Sequence, residues 1–301
     1  MIDIAQKTAV LAESLPYMQK FAGKTFVIKY GGNAMINEEL KISVIQDIVL
    51  MKCIGINPIV VHGGGPEITS MLAKMGKKSQ FVAGLRVTDE ETAAVAEMVL
   101  AGKINTEIVS LVNQYGGRAV GLNGKDSDLI VAKKTLATVY ENGRPQEVDI
   151  GYVGDVMKIN ANIINVLLAN NYIPVIAPTG VGLKGETYNI NADYIAGEIA
   201  VAVGAAKLVL LTDVEGIYRN YPDKDSFVST LPFAEAQDMV KNGTIDGGMI
   251  PKVEACVRAL AGGVEKTHII DGRQPHSLLL EVFTATGIGT EVIKESKRSG
   301  K

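Results

Sequence analysis

Two stretches of sequence decide the fold: residues 25–32 read TFVIKYGG, and residues 58–66 read PIVVHGGGP. Each begins with an apolar, partly β-branched run of strand length and ends in glycines. Similar strand patterns alternate with helical patterns along the chain, and they recur at 173–177, 207–211 and 266–270. This alternation predicts an α/β fold with a mainly parallel sheet that is covered by helices on both faces.

Residues 129–157 break this rhythm with short strand patterns interrupted by polar residues. They surround Asn142-Gly143, a sequence that is typical of a two-residue hairpin turn. We therefore predict an antiparallel ribbon outside the main sheet.

A glycine motif at 180–185, GVGLKG, matches the G-x-G-x-x-G pattern of dinucleotide-binding proteins. In those proteins the glycines open a helix, whereas here the extended, polar sequence ETYN follows. We interpret the motif as a hairpin loop, which disfavours the alternative of a Rossmann dehydrogenase.

The composition is that of an ordinary globular protein. The 301 residues, of which 47% are hydrophobic and 21% charged, allow one large domain or two closely joined lobes. The net charge of −3, scattered basic residues and few aromatics do not favour nucleic-acid binding. No stretch approaches the ~20 apolar residues of a membrane span, and the amino terminus does not resemble a signal peptide, so we expect a cytoplasmic protein. Cys53 and Cys256 lie in apolar helical patterns without zinc spacing and are predicted to be buried, reduced thiols.

The glycines that follow the strands are candidate ligand contacts, because ligands of parallel sheets bind at the carboxyl ends of the strands. The first strand ends in Gly31 and Gly32, and the second runs through glycines 63–65 into Pro66, a residue suited to the first position of a helix. Bare N–H groups at a helix N-terminus bind anions. The alternative for a single glycine turn is that it only permits a tight bend, but two such turns in one sheet indicate a phosphate cradle.

Two lysines strengthen this interpretation. Lys29 ends an apolar strand, where an unused charge is unusual, and Lys252 follows a further glycine-rich helix start in GGMIPK. Together they could neutralise a transferring phosphoryl group, although an ordinary surface lysine is the alternative for Lys252. The sequence has no P-loop pattern.

Polar residues complete the candidate site. In NINAD, Asn189 and Asn191 share one face if the segment is extended, and Asp193 could orient the lysines or a metal. The alternative is simple helix capping by Asn191 and Asp193. Asp213 follows a strand in the second half of the chain, and Arg86 could clamp a carboxylate in bidentate fashion.

The three histidines have no obvious Ser, Cys or carboxylate partner in the sequence, so nucleophilic hydrolysis is poorly supported. A substrate carboxylate is already ionised at pH 7 and needs no general base. Lysines, glycines and asparagines therefore fit a kinase that forms an acyl phosphate.

Six motifs occur in one order: KYGGNA, VVHGGGPEI, GLRVTD, YNINAD, LLTDVEGI and GGMIPKV, starting at residues 29, 60, 84, 188, 210 and 247. In this order they resemble the amino acid kinase family over essentially the whole chain. GLRVTD and YNINAD are similar to the branch that acts on acetylglutamate, rather than on carbamate, aspartate or uridylate. The resemblance implies a three-layer αβα sandwich and ATP-dependent phosphorylation of the side-chain carboxylate of N-acetyl-L-glutamate in arginine biosynthesis. A kinase for glutamate or aspartate without the acetyl group is the same-class alternative.

The resemblance also implies residue roles. Lys29 and Lys252 would stabilise the transferring phosphoryl group, and Asp193 would organise them. The other implied contacts are Gly64, Gly65, Arg86, Asn189 and Asn191 for the substrate, and Gly31, Gly32 and Asp213 for the nucleotide. Mg²⁺ would be bound mainly by the phosphates of ATP, with no metal site on the protein.

Two further features resemble the arginine-inhibited branch of the family. One is a helical pattern over 4–18, whose apolar stripe has no evident partner in its own lobe. The other is a C-terminal region in which arginine would contact His268, Glu281 and Gly287, together with Tyr17 from the helix. The alternative is a helix-capping glycine and an exposed glutamate.

This likeness implies feedback inhibition by arginine and a homohexamer built as a trimer of dimers; a PII-type regulator is not indicated. We predict an oligomerisation helix at 1–22, a substrate-binding and dimerisation lobe at 23–185, and a lobe for ATP and arginine at 186–301. A non-catalytic arginine sensor on the same scaffold would lack Lys29, Asp193 or Lys252, and all three are present.

Overall fold

The computed structural model describes residues 4–141 and 144–294. In this part of the chain the α-helices are α1 Ile4–Phe21, α2 Glu38–Cys53, α3 Gly65–Lys74, α4 Glu90–Glu97, α5 Asn105–Gln114, α6 Asn162–Ala169, α7 Ala192–Ala202, α8 Phe233–Lys241, α9 Ile250–Ala261 and α10 Ser277–Phe283. A π-helical segment, Met98–Ile104, joins α4 to α5. Short 3₁₀ turns are found at Gly32–Met35, Asp126–Asp128, Lys224–Ser226 and Gly247–Met249.

The strands alternate with these helices as the sequence predicts. They are β1 Thr25–Tyr30, β2 Asn57–His62, β3 Phe81–Val82, β4 Leu85–Arg86, β5 Ala119–Leu122, β6 Ile130–Lys134, β7 Ala137–Glu141, β8 Arg144–Val148, β9 Gly154–Ile159, β10 Ile173–Ile176, β11 Thr179–Val181, β12 Thr187–Asn189, β13 Lys207–Thr212, β14 Ile217–Tyr218, β15 Phe227–Val228, β16 Thr230–Pro232, β17 Lys266–Asp271 and β18 Thr290–Ile293.

Eight strands form the central sheet, in the order β16-β18-β17-β13-β1-β2-β10-β5. From β17 to β5 all neighbours are parallel, and β18 pairs antiparallel with β17 at one edge. The predicted mainly parallel sheet is therefore confirmed. Residues 57–176 supply the strands on one side of β1 and residues 207–293 supply those on the other, so a crevice is expected at the carboxyl ends of β1 and β13.

Strand β1 shows how the sheet is buried on both faces. Phe26, Ile28 and Tyr30 join one apolar core, while Val27 joins a second core on the opposite face. Because side chains alternate along a strand, Lys29 lies on the same face as Val27, where α7 and α9 pack. The layers thus direct Lys29 toward those two helices.

Both predicted hairpins are confirmed. β7 and β8 pair antiparallel outside the main sheet, although the turn residues 142–143 lie outside the described residues. β11 and β12 also pair antiparallel, and the amide of Gly182 donates to the carbonyl of Glu186 at 2.9 Å across the loop between them. The glycine motif therefore reverses the chain instead of opening a helix. The predicted lobe boundary at 185/186 lies in this loop, and the division into lobes stays a prediction.

The prediction that α1 has no partner in its own lobe is wrong for its last turns. Phe21 is buried and its ring meets that of Phe26 edge-on, with centroids 5.2 Å apart, and Tyr17 and Met18 also pack on the core. The side chains of residues 1–11 lie outside the described residues. Of the predicted apolar stripe, Met18 thus packs on the chain's own core, whereas Leu15 is 52% exposed.

The two cysteines differ in their surroundings. Cys256 is buried as predicted, but Cys53 is exposed, so that prediction is wrong. Cys53 is the last residue of α2, where the apolar face no longer determines which side chains are covered. In the described part of the chain, no helix is long and apolar enough to cross a membrane.

Candidate active site

A buried carboxylate between two lysines forms the centre of the site. Lys29 Nζ lies 3.1 Å from Asp193 Oδ1, and Lys252 Nζ lies 3.0 Å from Asp193 Oδ2. Burial alone would raise the pKa of Asp193, but the charges of the two lysines hold it below its usual value. The three residues predicted to be catalytic are thus brought together from strand β1 and from the first turns of α7 and α9.

Local backbone structure explains how these groups meet. Asn191 caps α7, because its Oδ1 accepts a hydrogen bond from the Asp193 amide at 2.7 Å, so the capping alternative for Asn191 is confirmed. The turn after β1 leaves room for the side chain of Lys29, because a Cβ at Gly31 would lie only 2.5 Å from Lys29 Nζ. Glycine at this position therefore lets the Lys29 side chain lie over the turn.

An open cleft of about 240 Å³ lies beside this cluster at the carboxyl ends of the strands. The residues that the sequence predicts for the substrate all line it, namely Gly64, Gly65, Arg86, Asn189 and Asn191, together with Lys29 and Asp193. The sequence-predicted substrate site is thus a single concave surface.

Arg86 is buried in the wall of the cleft. Its Nη2 donates to the carbonyl of Gly65 at 2.8 Å and to Thr69 Oγ1 at 2.9 Å, and its Nη1 donates to Ser79 Oγ at 2.5 Å. Its guanidinium also lies 4.8 Å from the ring centre of Phe81, and burial lowers its pKa. Sequence reasoning missed Ser79, Thr69 and Phe81, since their spacing from Arg86 carries no motif.

The glycine turn at 63–65 is packed directly against the π-helical segment. A Cβ at Gly64 would lie 2.5 Å from Ile104 Cδ1 and 2.6 Å from Leu100 Cδ2. The sequence pattern over 90–112 predicts one continuous helix, because a π turn adds only one residue to the helical period. The side chains of this segment therefore require glycine at position 64.

His62 supports the same turn from inside the core. Its Nδ1 lies 2.8 Å from the carbonyl of Gly63, and Asn105 Nδ2 lies 3.2 Å from its Nε2. Since the carbonyl can only accept and the amide NH₂ can only donate, the ring carries its proton on Nδ1. Burial lowers the pKa of His62 to about 4, so the imidazole is neutral at pH 7.

The predicted nucleotide residues also lie close together. Gly32 has a φ of +71°, a left-handed conformation that favours glycine. A Cβ at this position would overlap the carboxylate of Asp213, which follows β13. Gly31, Gly32 and Asp213 thus share the carboxyl-end edge of β1 and β13 with Lys29.

A second cavity, of about 630 Å³, lies at the opposite, amino ends of β13 and β17. We call it the amino-end cavity. Its lining includes all four residues predicted to bind arginine: Tyr17, His268, Glu281 and Gly287. Glu281 is buried, so the alternative of an exposed glutamate is wrong.

A hydrogen-bonded row of three charged or titratable groups lines this cavity. Lys207 Nζ lies 2.9 Å from His268 Nε2, and His268 Nδ1 lies 2.6 Å from Glu281 Oε1. The other oxygen of Glu281 accepts from the amides of Ile288 at 2.7 Å and Gly289 at 3.1 Å. Burial lowers the pKa of Lys207 to about 8 and also lowers that of His268.

The prediction that no histidine has a carboxylate partner is therefore wrong twice. His268 pairs with Glu281, and His276 Nδ1 lies 2.6 Å from Asp47 Oδ1, a residue 229 positions earlier in the chain. Sequence reasoning also missed Lys207. Its place in the sequence was informative: Lys207 is the first residue of an otherwise apolar strand, and Lys29 is the last residue but one of another.

Among the described residues, no group of three or more His, Cys, Asp or Glu side chains could hold a metal ion. The donor set of the cleft is instead composed of lysine ammonium groups, amides and one carboxylate that is already paired twice. Such a set suits a ligand that carries its own cation on phosphate oxygens.

Known proteins have sequences similar to that of this chain. Residues 24–271 match the model of the amino acid kinase family. The acetylglutamate kinase of Moorella thermoacetica is 58% identical over 288 residues, which cover 96% of this chain and 97% of that protein. The acetylglutamate kinase of Heliobacterium modesticaldum is 60% identical over 295 residues, covering 98% of this chain and all of that protein (100%).

Solved structures share the fold. N-acetylglutamate synthase from Neisseria gonorrhoeae, in complex with coenzyme A and N-acetyl-glutamate, superposes with a TM-score of 0.82 at 28% identity. The match covers 96% of this chain and 64% of the length of the synthase. Carbamate kinase from Giardia lamblia bound to AMP-PNP gives a TM-score of 0.65 at 18% identity over 91% of this chain and 99% of that one, and it supports the fold alone. The matches confirm the family and the enzyme class that the sequence predicts: the chain belongs to the amino acid kinase family of phosphotransferases.

Proposed function

We propose that this protein transfers the γ-phosphoryl group of ATP to the side-chain carboxylate of N-acetyl-L-glutamate, a reaction of arginine biosynthesis. The observation that carries the proposal is Asp193 held between Lys29 and Lys252 at the edge of a cleft that also contains Arg86. Two relatives that bear the name acetylglutamate kinase, at 58% and 60% identity over nearly the full length, support the choice of substrate.

The chemistry requires charge neutralisation more than proton transfer. In the reaction, a carboxylate oxygen of the substrate forms a bond to the γ-phosphorus, and the bond from that phosphorus to the β,γ-bridging oxygen breaks. The ammonium groups of Lys29 and Lys252 lie where they can bind the equatorial and bridging oxygens. Asp193, whose pKa is lowered by the two lysines, stays ionised and acts by holding them in place.

The cleft offers specific groups to the substrate. Arg86 has five N–H donors, and its bonds to Gly65, Thr69 and Ser79 use both of those on Nη2 and one on Nη1. The Nε–H and the second Nη1–H are left on different edges of the guanidinium, and the α-carboxylate of the substrate would accept from one of them. Because Asn191 Oδ1 caps α7, its amide NH₂ is the part that can bind the substrate. Asn189 lines the same cleft, and the amides of Gly64 and Gly65, which also line it, would donate to the phosphoryl group.

The nucleotide would lie along Gly31, Gly32 and Asp213. Magnesium would be held mainly by the phosphates of ATP, where it neutralises charge on the leaving group. The glycines contribute backbone N–H groups that a side chain at position 32 would block, since a Cβ there overlaps Asp213.

An assay of the reaction product tests the proposal. We expect ADP release with ATP, Mg²⁺ and N-acetyl-L-glutamate, and trapping of an acyl phosphate as its hydroxamate when hydroxylamine is added. Glutamate and aspartate serve as matched substrates without the acetyl group. Preferred turnover of either one would move the protein to a sister kinase and would contradict the proposal.

We also propose that arginine binds in the amino-end cavity and inhibits turnover. The buried carboxylate of Glu281 is suited to a guanidinium, and Lys207 can pair with the α-carboxylate of the ligand. Coupling to the cleft would run through the chain itself, because Phe21 lines the cavity only a few residues before β1, which carries Lys29.

Inhibition requires that arginine bind one arrangement of the protein better than another. In the proposed hexamer α1 joins the dimers, and arginine would act on six copies of this arrangement. Addition of millimolar arginine to the kinase assay, with the mass of the oligomer measured in parallel, tests both parts. Undiminished turnover would contradict arginine regulation.

A further inference from the structure

We propose that Tyr194 is a positioning residue for phosphoryl transfer: it fixes α9 against α7 so that Lys252 meets Asp193. This inference rests on the proposed function, in which Lys252 acts on the transferring phosphoryl group.

The two helices are joined twice, from consecutive residues of α7. Asp193 accepts the ammonium of Lys252 at 3.0 Å, and the next residue, Tyr194, donates its hydroxyl to Glu254 Oε2 at 2.6 Å. Glu254 follows Lys252 by two positions in α9. A structural bond is therefore placed directly beside the catalytic ion pair on both helices.

The second bond restrains a motion that the first one permits. Lysine has a long, flexible side chain, so an ion pair to Lys252 tolerates rotation or sliding of α9. Residues two apart on a helix point to different sides, and a bond at Glu254 therefore resists rotation of α9 about its axis. Tyrosine has only two rotatable side-chain bonds, which makes it a stiffer link than lysine.

The contact between the helices is close enough to transmit small shifts. A Cβ at Gly197 of α7 would lie 3.1 Å from the carbonyl oxygen of Ala255 in α9, so the two backbones nearly touch. Packed interiors of this kind do not absorb displacement. A change in the Tyr194–Glu254 bond should therefore appear as a change in the position of Lys252.

A third residue of α9 contacts the ring of Tyr194. The guanidinium of Arg258, one turn after Glu254, lies 4.9 Å from the ring centre of Tyr194. Arg258 Nη1 also lies 3.8 Å from Asp155 Oδ1 in β9, a strand outside the central sheet. If Tyr194 loses its hydroxyl, Glu254 loses a donor and can turn to Arg258, its neighbour at i+4.

The ordinary alternative is that Tyr194 only fills space in the apolar core that it borders. The two roles differ in what they predict for kinetics. A packing role changes stability, whereas a positioning role lowers kcat without changing the affinity for either substrate.

The test begins with Tyr194→Phe, which keeps the ring and removes the hydroxyl. We expect kcat to fall roughly tenfold, with both KM values within about twofold and the melting temperature lowered by at most a few degrees, on the scale of one lost hydrogen bond to a charged group. Glu254→Gln is the second variant and should lower kcat in the same sense. Tyr172→Phe is the matched control. The ring of Tyr172 also lies against an arginine, Arg118, which donates a hydrogen bond to the Tyr172 hydroxyl, but this pair lies at the amino end of β10.

A double-mutant cycle with Lys252→Ala decides the mechanism. If Tyr194 acts through Lys252, adding Tyr194→Phe to Lys252→Ala causes no further loss of kcat. An equal loss in both backgrounds, or no loss in either, overturns the inference while leaving the proposed role of Lys252 intact. Near-normal turnover of Lys252→Ala alone would overturn that proposed role, and the inference with it.

Discussion

The cleft and the amino-end cavity lie at opposite ends of the same parallel strands, and both place a buried carboxylate beside basic groups. In the cleft, Asp193 touches two lysine ammonium groups. In the amino-end cavity, Glu281 touches His268, and Lys207 touches the far side of that imidazole. The two sites thus use similar residue types in a different order.

The order determines the charge that a ligand meets. Two ammonium groups on one carboxylate leave the cleft with an excess of positive charge, which suits a migrating phosphoryl group. In the amino-end cavity burial lowers the pKa of His268, and the ring of this histidine separates the carboxylate of Glu281 from the ammonium of Lys207. A separated pair of opposite charges suits a ligand that itself carries both signs, such as an amino acid.

Replacement of Lys29 by alanine is expected to give the largest effect and to separate the two sites. Lys29→Ala should lower kcat by about 10³-fold or more, because a charge that stabilises the transition state is lost. Arginine binding at the amino-end cavity, measured by calorimetry, should stay within about twofold of the unaltered protein. Near-normal turnover would show that the cleft does not depend on its excess positive charge.

Acidification is expected to lower the free energy of unfolding through His62, which supports the glycine turn of the cleft. The unfolded histidine binds a proton near pH 6.5, whereas folded His62 does so only near pH 4. Between these values the unfolded state binds more protons, so this group lowers stability as the pH falls from 6.5 to 4.

The variant His62→Asn cannot titrate in that window. Between pH 7.5 and 4, its free energy of unfolding should therefore fall by roughly 2–4 kcal/mol less than that of the unaltered protein. Urea unfolding at both pH values measures the difference. Equal losses in the two proteins would show that His62 is not the group that burial keeps neutral.

Removal of one charge from the amino-end cavity is expected to have the smallest effect. Glu281→Gln keeps an oxygen for the amides of Ile288 and Gly289 but cannot pair with a guanidinium. The arginine concentration for half inhibition should rise at least about tenfold, while kcat without arginine stays within about twofold.

Glu291→Gln is the matched control, because Glu291 lines the same cavity but pairs with Lys266 at 2.5 Å. Inhibition that survives Glu281→Gln, or that is lost equally in the control, would contradict the assignment of Glu281.

The comparison of the two lysines shows what the sequence could predict. Lys29 stood out because it ends an apolar strand next to a glycine turn, and ligands are expected at carboxyl ends. Lys207 has the same apolar surroundings but begins its strand, so the rule gave no reason to examine it. The strand pattern, the glycine turns and the polar residues of the cleft were thus accessible from local sequence, whereas Phe81, which also lines the cleft, was not.

Contacts between distant segments were not accessible. The bonds of Arg86 to Ser79 and Thr69, and that of His276 to Asp47, depend on how loops and helices are folded together rather than on spacing. The exposure of Cys53 depends on where α2 ends. In each case the residues that decide the outcome are too far apart in the sequence for hydrophobic periodicity to predict their contact.

The π-helical segment makes the length of the chain a determinant of the cleft. A π turn holds one residue more than an α-helical turn, so loss of a single residue between 98 and 104 would let the helix close into regular α geometry. Because the π turn absorbs the extra residue, α5 beyond it would keep its orientation toward the sheet, and Asn105 would stay beside His62. Within the shortened segment, however, Leu100 and Ile104 would no longer be spaced to pack together against Gly64. One missing residue, far from either lysine along the chain, would thus change the packing behind the glycine turn while the rest of the fold stays in place.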